Sequence, residues 1–199
     1  METLEEQVAE VVEKAREKGY EAIKYWSEDE SRCGLLPIKR HRITGKGVQP
    51  ICSGAYNFAN FYLYGMTEVL TGESFILELP YLNGECFKLF LAEFVKTRKA
   101  EEFHLILMDN ATFHSEKYFE IYENVAVINL PPCSPELNPI ERYWRDVKDW
   151  LSEKKPKSSE ELSELMIERL KSYTKEKIKS LVGYEYLQKA CQVLHTNQV

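Results

Sequence analysis

The chain contains no C-x-x-C pair, no low-complexity tract and no internal repeat. No stretch approaches the roughly 20 apolar residues that a membrane-spanning helix needs, so no membrane partner is expected. Five cysteines (Cys33, Cys52, Cys86, Cys133 and Cys191) are scattered and odd in number. That spacing argues against a zinc cluster or a disulfide framework and favours a reduced, cytoplasmic compartment. The opening METLEEQVAEVVEKAREKGYE lacks the basic and apolar regions of a secretory signal, being acidic and helix-periodic instead. Positive charge is also short overall. A net charge of −6 argues against indiscriminate nucleic-acid affinity over the whole surface.

What is present is enough for one large domain, or a domain with a helical appendage: 199 residues, of which 44% are hydrophobic. Charge is unevenly spread. Glutamate crowds residues 1–30, whereas Arg32, Lys39, Arg40, Arg42 and Lys46 fall within fifteen positions. Such a cluster either neutralises phosphates or forms a solvated basic loop.

Val8, Val11, Val12 and Ala15 recur at helical spacing, which predicts an amphipathic helix over 3–18 with Gly19 as its stop. EAIKYWSED, VQPICSGAY, NFYLYGMTEVL and ESFILELP follow as extended runs, with a hairpin break around Asn57 to Asn60, and suggest an antiparallel meander. After Asn83-Gly84 the pattern turns helical. FHLILMD and VAVINL are short continuous apolar runs, as in strands buried on both faces. HSEKYFEIYE, 139–153 and 158–180 are predicted helices, with PPCSPELNP as a rigid connection. The order gives a mixed α/β layer architecture. The expected division is an N-terminal acidic helix (1–19), a catalytic domain (20–155) and a C-terminal helical extension (156–199).

Three acidic residues fall where elements begin or end. Asp29 lies near the end of the first strand, Asp109 ends FHLILMD, and Glu141 lies in the first turn of a helix. Carboxylates at the carboxyl ends of strands point into the crevice where ligands bind, and oxygen donors suit magnesium or manganese. Each has an ordinary explanation too. Asp109-Asn110 reads as turn chemistry, and alternation does not choose Asp29 over its neighbours Glu28 and Glu30. Asn138, Pro139 and Glu141 match a capping box. Ile140, Trp144, Val147 and Leu151 form an apolar stripe, with Glu141, Arg145 and Lys148 along an adjacent face. Those cations either lie beside DNA or make ordinary (i, i+4) ion pairs. Trp26, Trp144 and Trp150 read as core.

SEDESRCGL, DNATFH (109–114) and PPCSPELNPIERYW (131–144) resemble, in order, three signature blocks of the DDE transposases of the mariner-like superfamily, bacterial insertion-sequence branch. The resemblance runs over roughly residues 20–190 and is strongest over 105–150. It implies an RNase H-like (retroviral-integrase-type) fold: a mixed five-stranded sheet, its first three strands antiparallel, flanked by helices. It also implies Asp29, Asp109 and Glu141 as catalytic ligands of two Mg2+ ions, with Mn2+ as a substitute. The implied chemistry is cleavage at transposon ends and strand transfer to target DNA. Asn110, His114, Asn138, Arg145, Lys148, Arg40 and Arg42 become supporting or DNA-contacting candidates.

The same resemblance implies double-stranded DNA as partner, at TA dinucleotides, a homodimer on that DNA, and residence at a prokaryotic nucleoid. Relatives carry an N-terminal helix-turn-helix region, whereas about twenty acidic residues precede the first strand here. The expectation is therefore a separate helix-turn-helix polypeptide or, alternatively, an inactive or recruited DNA-binding or interaction protein. Cys33 and Cys133 replace aromatic residues of the family pattern, a small packing loss.

Overall fold

The computed structural model describes residues 3–35, 60–132 and 134–193. Helix α1 (Leu4–Glu17) opens with a capping box between Thr3 and Glu6 and buries Val8, Val12 and Ala15. It ends where Gly19 takes a φ of +90°, a left-handed conformation that favours a residue without Cβ. Five strands follow: β1 (Ala22–Gly34), β2 (Asn60–Glu68), β3 (Ser74–Leu79), β4 (Glu102–Met108) and β5 (Val125–Asn129). They form one sheet in the order β3-β2-β1-β4-β5. β1, β2 and β3 pair antiparallel, whereas β4 and β5 add parallel to β1. This is the RNase H-like sheet.

Odd- and even-numbered residues of β1 face opposite layers. Trp26 packs with Phe87, Phe90, Leu91 and Phe94 of α2 (Gly84–Lys96), beside Tyr64, Met66, Ile106 and Met108. Asn83 caps α2 by accepting the Cys86 backbone N–H at 2.9 Å. The other face is covered twice. Ile23 and Tyr25 meet α1, and Cys33 joins the apolar side of α3 (Ile140–Leu151), α4 (Ser159–Lys171) and α5 (Lys175–Val182). A last helix, α6 (Glu185–Val193), brings Leu187 against α1.

Some expected elements change form. HSEKYFEIYE makes only a 3-10 turn at Glu116–Tyr118. Tyr118, Phe119 and Tyr122 are poor helix formers; i→i+3 bonds run from Tyr118 to Ser115 and from Tyr122 to Phe119, and the Tyr118 and Phe119 rings pack near Phe87. The helix expected over 158–180 is two, because the Thr174 side chain accepts the Lys177 N–H at 3.2 Å and starts α5 afresh. Trp26 and Trp144 are buried as expected. Trp150 is only half-buried, with Lys154 and Arg169 over its ring. VQPICSGAY and the greater part of the Asn57–Asn60 break lie outside the described residues.

Candidate active site

The site forms where β4 stops and β1 continues. β1 and β4 are in parallel register through Ser27 and Leu107. Asp29 lies two residues further along β1 and Asp109 directly after the last residue of β4, near enough for the Asp109 charge to act on Asp29. Asp29 is thus in mid-strand rather than near the end of β1, which runs on to Gly34 against β2 alone. Alternation now separates the neighbouring acids: Asp29 turns toward α3, and Glu28 and Glu30 turn toward α2.

Glu141, in the first turn of α3, is near enough for its charge to act on the Asp29 carboxyl. The expected capping box does not form there. The α3 N-cap is Pro139, without a side-chain cap bond. Asn138, buried, turns across to β1: its Nδ2 donates to the Glu28 carbonyl at 2.8 Å, and its Oδ1 accepts the Ser27 hydroxyl. Ser27 in turn accepts the Ile140 backbone N–H at 3.2 Å. A side chain on β1 therefore caps α3, and the reciprocal bonds fix the start of the helix against the strand that bears Asp29.

Gly65 completes the arrangement. It pairs with Asp29 across the β1–β2 ladder. A Cβ there would lie 2.4 and 2.6 Å from Trp144 ring carbons, so α3 packs where only glycine leaves room.

The carboxylates repel one another. Burial, followed by the charges of Glu141, Glu30 and Asp109, pushes the Asp29 carboxyl well above the usual range. Asp109 is held below its ordinary value, first by a hydrogen bond from His114, against the opposing effect of burial. Its Oδ1 accepts the Ala111 N–H at 2.9 Å and faces His114 Nδ1 at 3.2 Å, so the turn role coexists with the carboxylate cluster. Burial alone would lower the His114 imidazole, but hydrogen bonds to Asp109 and Glu30 raise its pKa to about 9. A cluster of oxygen donors that repel one another fits a divalent cation, which would relieve that repulsion.

The supporting candidates separate. His114 joins the cluster, with its ring against Phe87 at a centroid distance of 4.4 Å. Asn110 donates to the Leu130 carbonyl at 2.7 Å and ties the ends of β4 and β5 together. Arg145 is exposed and Lys148 half-buried on α3, and neither pairs with Glu141 among the described residues. Arg32 donates to Asn60 Oδ1 at 3.1 Å. Lys39, Arg40, Arg42 and Lys46 lie outside the described residues, as does Cys133. Ser27 and Gly65 went unnoticed in the sequence. Their signals were an i, i+2 relation to Asp29 and an isolated glycine in a bulky strand.

A profile of the DDE superfamily endonuclease family matches residues 24–163, from early β1 into α4. The chain belongs to the DDE superfamily endonucleases. This DDE protein is 33% identical over 92 residues to the uncharacterized protein y4pE/y4sA of Sinorhizobium fredii, spanning 46% of the present chain and 68% of that relative. In three dimensions it is similar to the Mos1 transposase in the mariner paired-end complex with Mg, with a TM-score of 0.63 at 17% identity. That likeness covers 89% of this chain and 57% of the Mos1 chain. The Mos1 strand transfer complex gives a TM-score of 0.61 at 18% identity, covering 92% and 59%. At such identities the likeness shows a shared fold, and the DDE chain spans less than two thirds of either Mos1 chain.

Proposed function

We propose that this DDE domain is the catalytic part of a transposase, cutting DNA strands at transposon ends and joining them to target DNA. The observation that supports the reading is the convergence of charge on Asp29, where Glu141 from the first turn of α3 and Asp109 from just past the end of β4 both act on its carboxyl. Asp29, Asp109 and Glu141 would hold divalent metal, Mg2+ in the cell with Mn2+ as a substitute. When bound, a pair of such ions supplies Lewis acidity to a phosphodiester and lowers the pKa of an attacking water or 3′-hydroxyl.

The chain's own contribution is positioning. Ser27 and Asn138 hold α3, and so Glu141, at a fixed place relative to Asp29. His114 and the Ala111 N–H orient Asp109 from one side and leave the carboxylate partly exposed toward the crevice. Arg145 and Lys148 follow Glu141 along α3 and would meet the phosphate backbone of duplex DNA. A homodimer on DNA, with a helix-turn-helix polypeptide reading the ends, is the assembly that this role calls for.

The test is cleavage and joining of a labelled duplex carrying the inverted repeats that flank the coding sequence, in Mg2+ or Mn2+. Metal-dependent single-strand cuts that disappear in Asp109→Asn and in Glu141→Gln are expected. Cuts that persist in both variants would overturn the triad. DNA binding without any cutting would make the chain a recruited binding protein.

A further inference from the structure

On the α2 side of β1, Glu28 and Glu30 face His114. The Glu28 side chain is fully buried, and neither of its carboxylate oxygens has a hydrogen-bond partner. A buried carboxylate without a donor is costly unless a proton or a cation joins it. Its Oε2 lies 3.8 Å from His114 Nε2, and Glu30 Oε1 lies 3.1 Å from the same nitrogen. One donor atom from each of the three residues falls within a 4.8 Å span. Bonds of ~2.0–2.2 Å to one ion would set tetrahedral ligands roughly 3.3–3.6 Å apart, which is the scale of these separations.

The second ring nitrogen supports the same reading. His114 Nδ1 faces Asp109 Oδ1 at 3.2 Å. A metal-ligating histidine characteristically donates its other N–H to a carboxylate, which fixes the tautomer and leaves the opposite lone pair for the metal. Here that fixes Nε2 as the nitrogen turned toward Glu28 and Glu30.

We propose that Glu28, Glu30 and His114 form a second metal site behind the triad, suited to a borderline transition-metal ion such as Zn2+ or Mn2+ rather than to Mg2+. The imidazole sets this preference, because magnesium favours an all-oxygen, largely hydrated shell. Asp109 then touches both centres, as a member of the triad and as the carboxylate behind His114. An ion in the second site would hold Asp109 in place through the imidazole whether or not the triad is filled.

The test uses the full chain carrying Asp29→Asn and Glu141→Gln, which disables the triad but keeps Asp109 behind His114. Zn2+ is titrated by calorimetry in excess Mg2+, and Co2+ is added separately to record its visible d–d spectrum. One equivalent of Zn2+ is expected, with intense Co2+ bands of low coordination number. Adding Glu28→Gln should weaken Zn2+ at least tenfold and bleach those bands, and Glu30→Gln should do the same. Circular dichroism on each variant ensures that folded protein is compared. Absence of Zn2+ binding in the triad-disabled chain, or binding unchanged by both glutamine variants, would overturn the site and leave Glu28 and Glu30 sharing a proton. Neither result bears on whether the triad cuts DNA.

Discussion

The hydroxyl of Ser27, in the middle of β1, accepts the backbone N–H of Ile140, the first residue of α3, at 3.2 Å. A helix start is thus held by a side chain 113 positions earlier, two residues from Asp29 on the same face of the strand. Ser27→Ala removes this cap and leaves Asn138 Oδ1 without the Ser27 hydroxyl as a buried partner. Losses of this kind cost about 1–3 kcal/mol. A urea-midpoint shift of that size is expected, together with weaker Mg2+ affinity, because Glu141 loses its anchor. Unchanged Mg2+ affinity in a destabilised variant would show that the cap serves folding only.

Asp29→Asn should separate stability from activity. Its charge is disfavoured by burial and by Glu141, Glu30 and Asp109, so the amide should stabilise the metal-free chain. DNA cleavage should fall by roughly a thousandfold or more, since charge stabilisation worth several kcal/mol is lost. Thermal melting in chelator and a strand-cleavage assay check the two halves. A metal-free melting point lower than wild type would contradict the electrostatic picture.

Gly65→Ala tests the packing that seats α3. The new methyl would meet the Trp144 ring well inside contact distance, and the neighbour is a buried indole rather than a flexible chain end. Overpacking of this kind costs about 1–3 kcal/mol. Trp144 fluorescence should shift as the ring moves, and wild-type stability with an unshifted spectrum would argue against this seating.

His104 gives the fold a pH dependence away from the site. Its Nδ1 accepts the Trp26 indole N–H at 3.1 Å, and burial, followed by the charges of Arg98 and Lys24, lowers its pKa to about 4. The unfolded chain takes up this proton near pH 6.5, whereas the folded chain does so only near 4. Stability from the neutral imidazole is therefore complete above about pH 6.5 and is lost as the pH falls toward 4. The linkage amounts to at most ~3 kcal/mol. Urea midpoints of wild type and His104→Phe should converge over that interval. Parallel curves would mean that the folded imidazole protonates as readily as the unfolded one.

The sheet was legible because its strands are simple in sequence. FHLILMD and VAVINL are continuous apolar runs, and β1 to β3 are aromatic and apolar stretches set off by turns. Asp109 could be singled out because it ends a buried strand, and Glu141 because a proline-framed string precedes it. Asp29 could not be told from Glu28 and Glu30 by alternation, since β1 is acidic on both faces at that point. The resemblance of SEDESRCGL to the family's first block picks out Asp29, and in the structure the Glu141 charge acts on it while Glu28 and Glu30 face His114. Asn138 misled for a related reason. Local spacing fits a capping box, yet its partners are Ser27 and the Glu28 carbonyl, more than a hundred residues away. The break between α4 and α5 was hidden because Thr174 fits an amphipathic pattern as readily as it caps a helix.

The most direct test of the triad is Mg2+ titration by calorimetry on wild type and on three single variants, Asp29→Asn, Asp109→Asn and Glu141→Gln, with exposed Glu136→Gln as control. If the three carboxylates share the ions, each substitution weakens Mg2+ about tenfold or more and Glu136→Gln leaves it unchanged, so added Mg2+ raises the melting temperature of wild type and Glu136→Gln alike, and that of the three triad variants less, by mass action. Mg2+ affinity that survives all three substitutions would contradict a metal centre built from Asp29, Asp109 and Glu141.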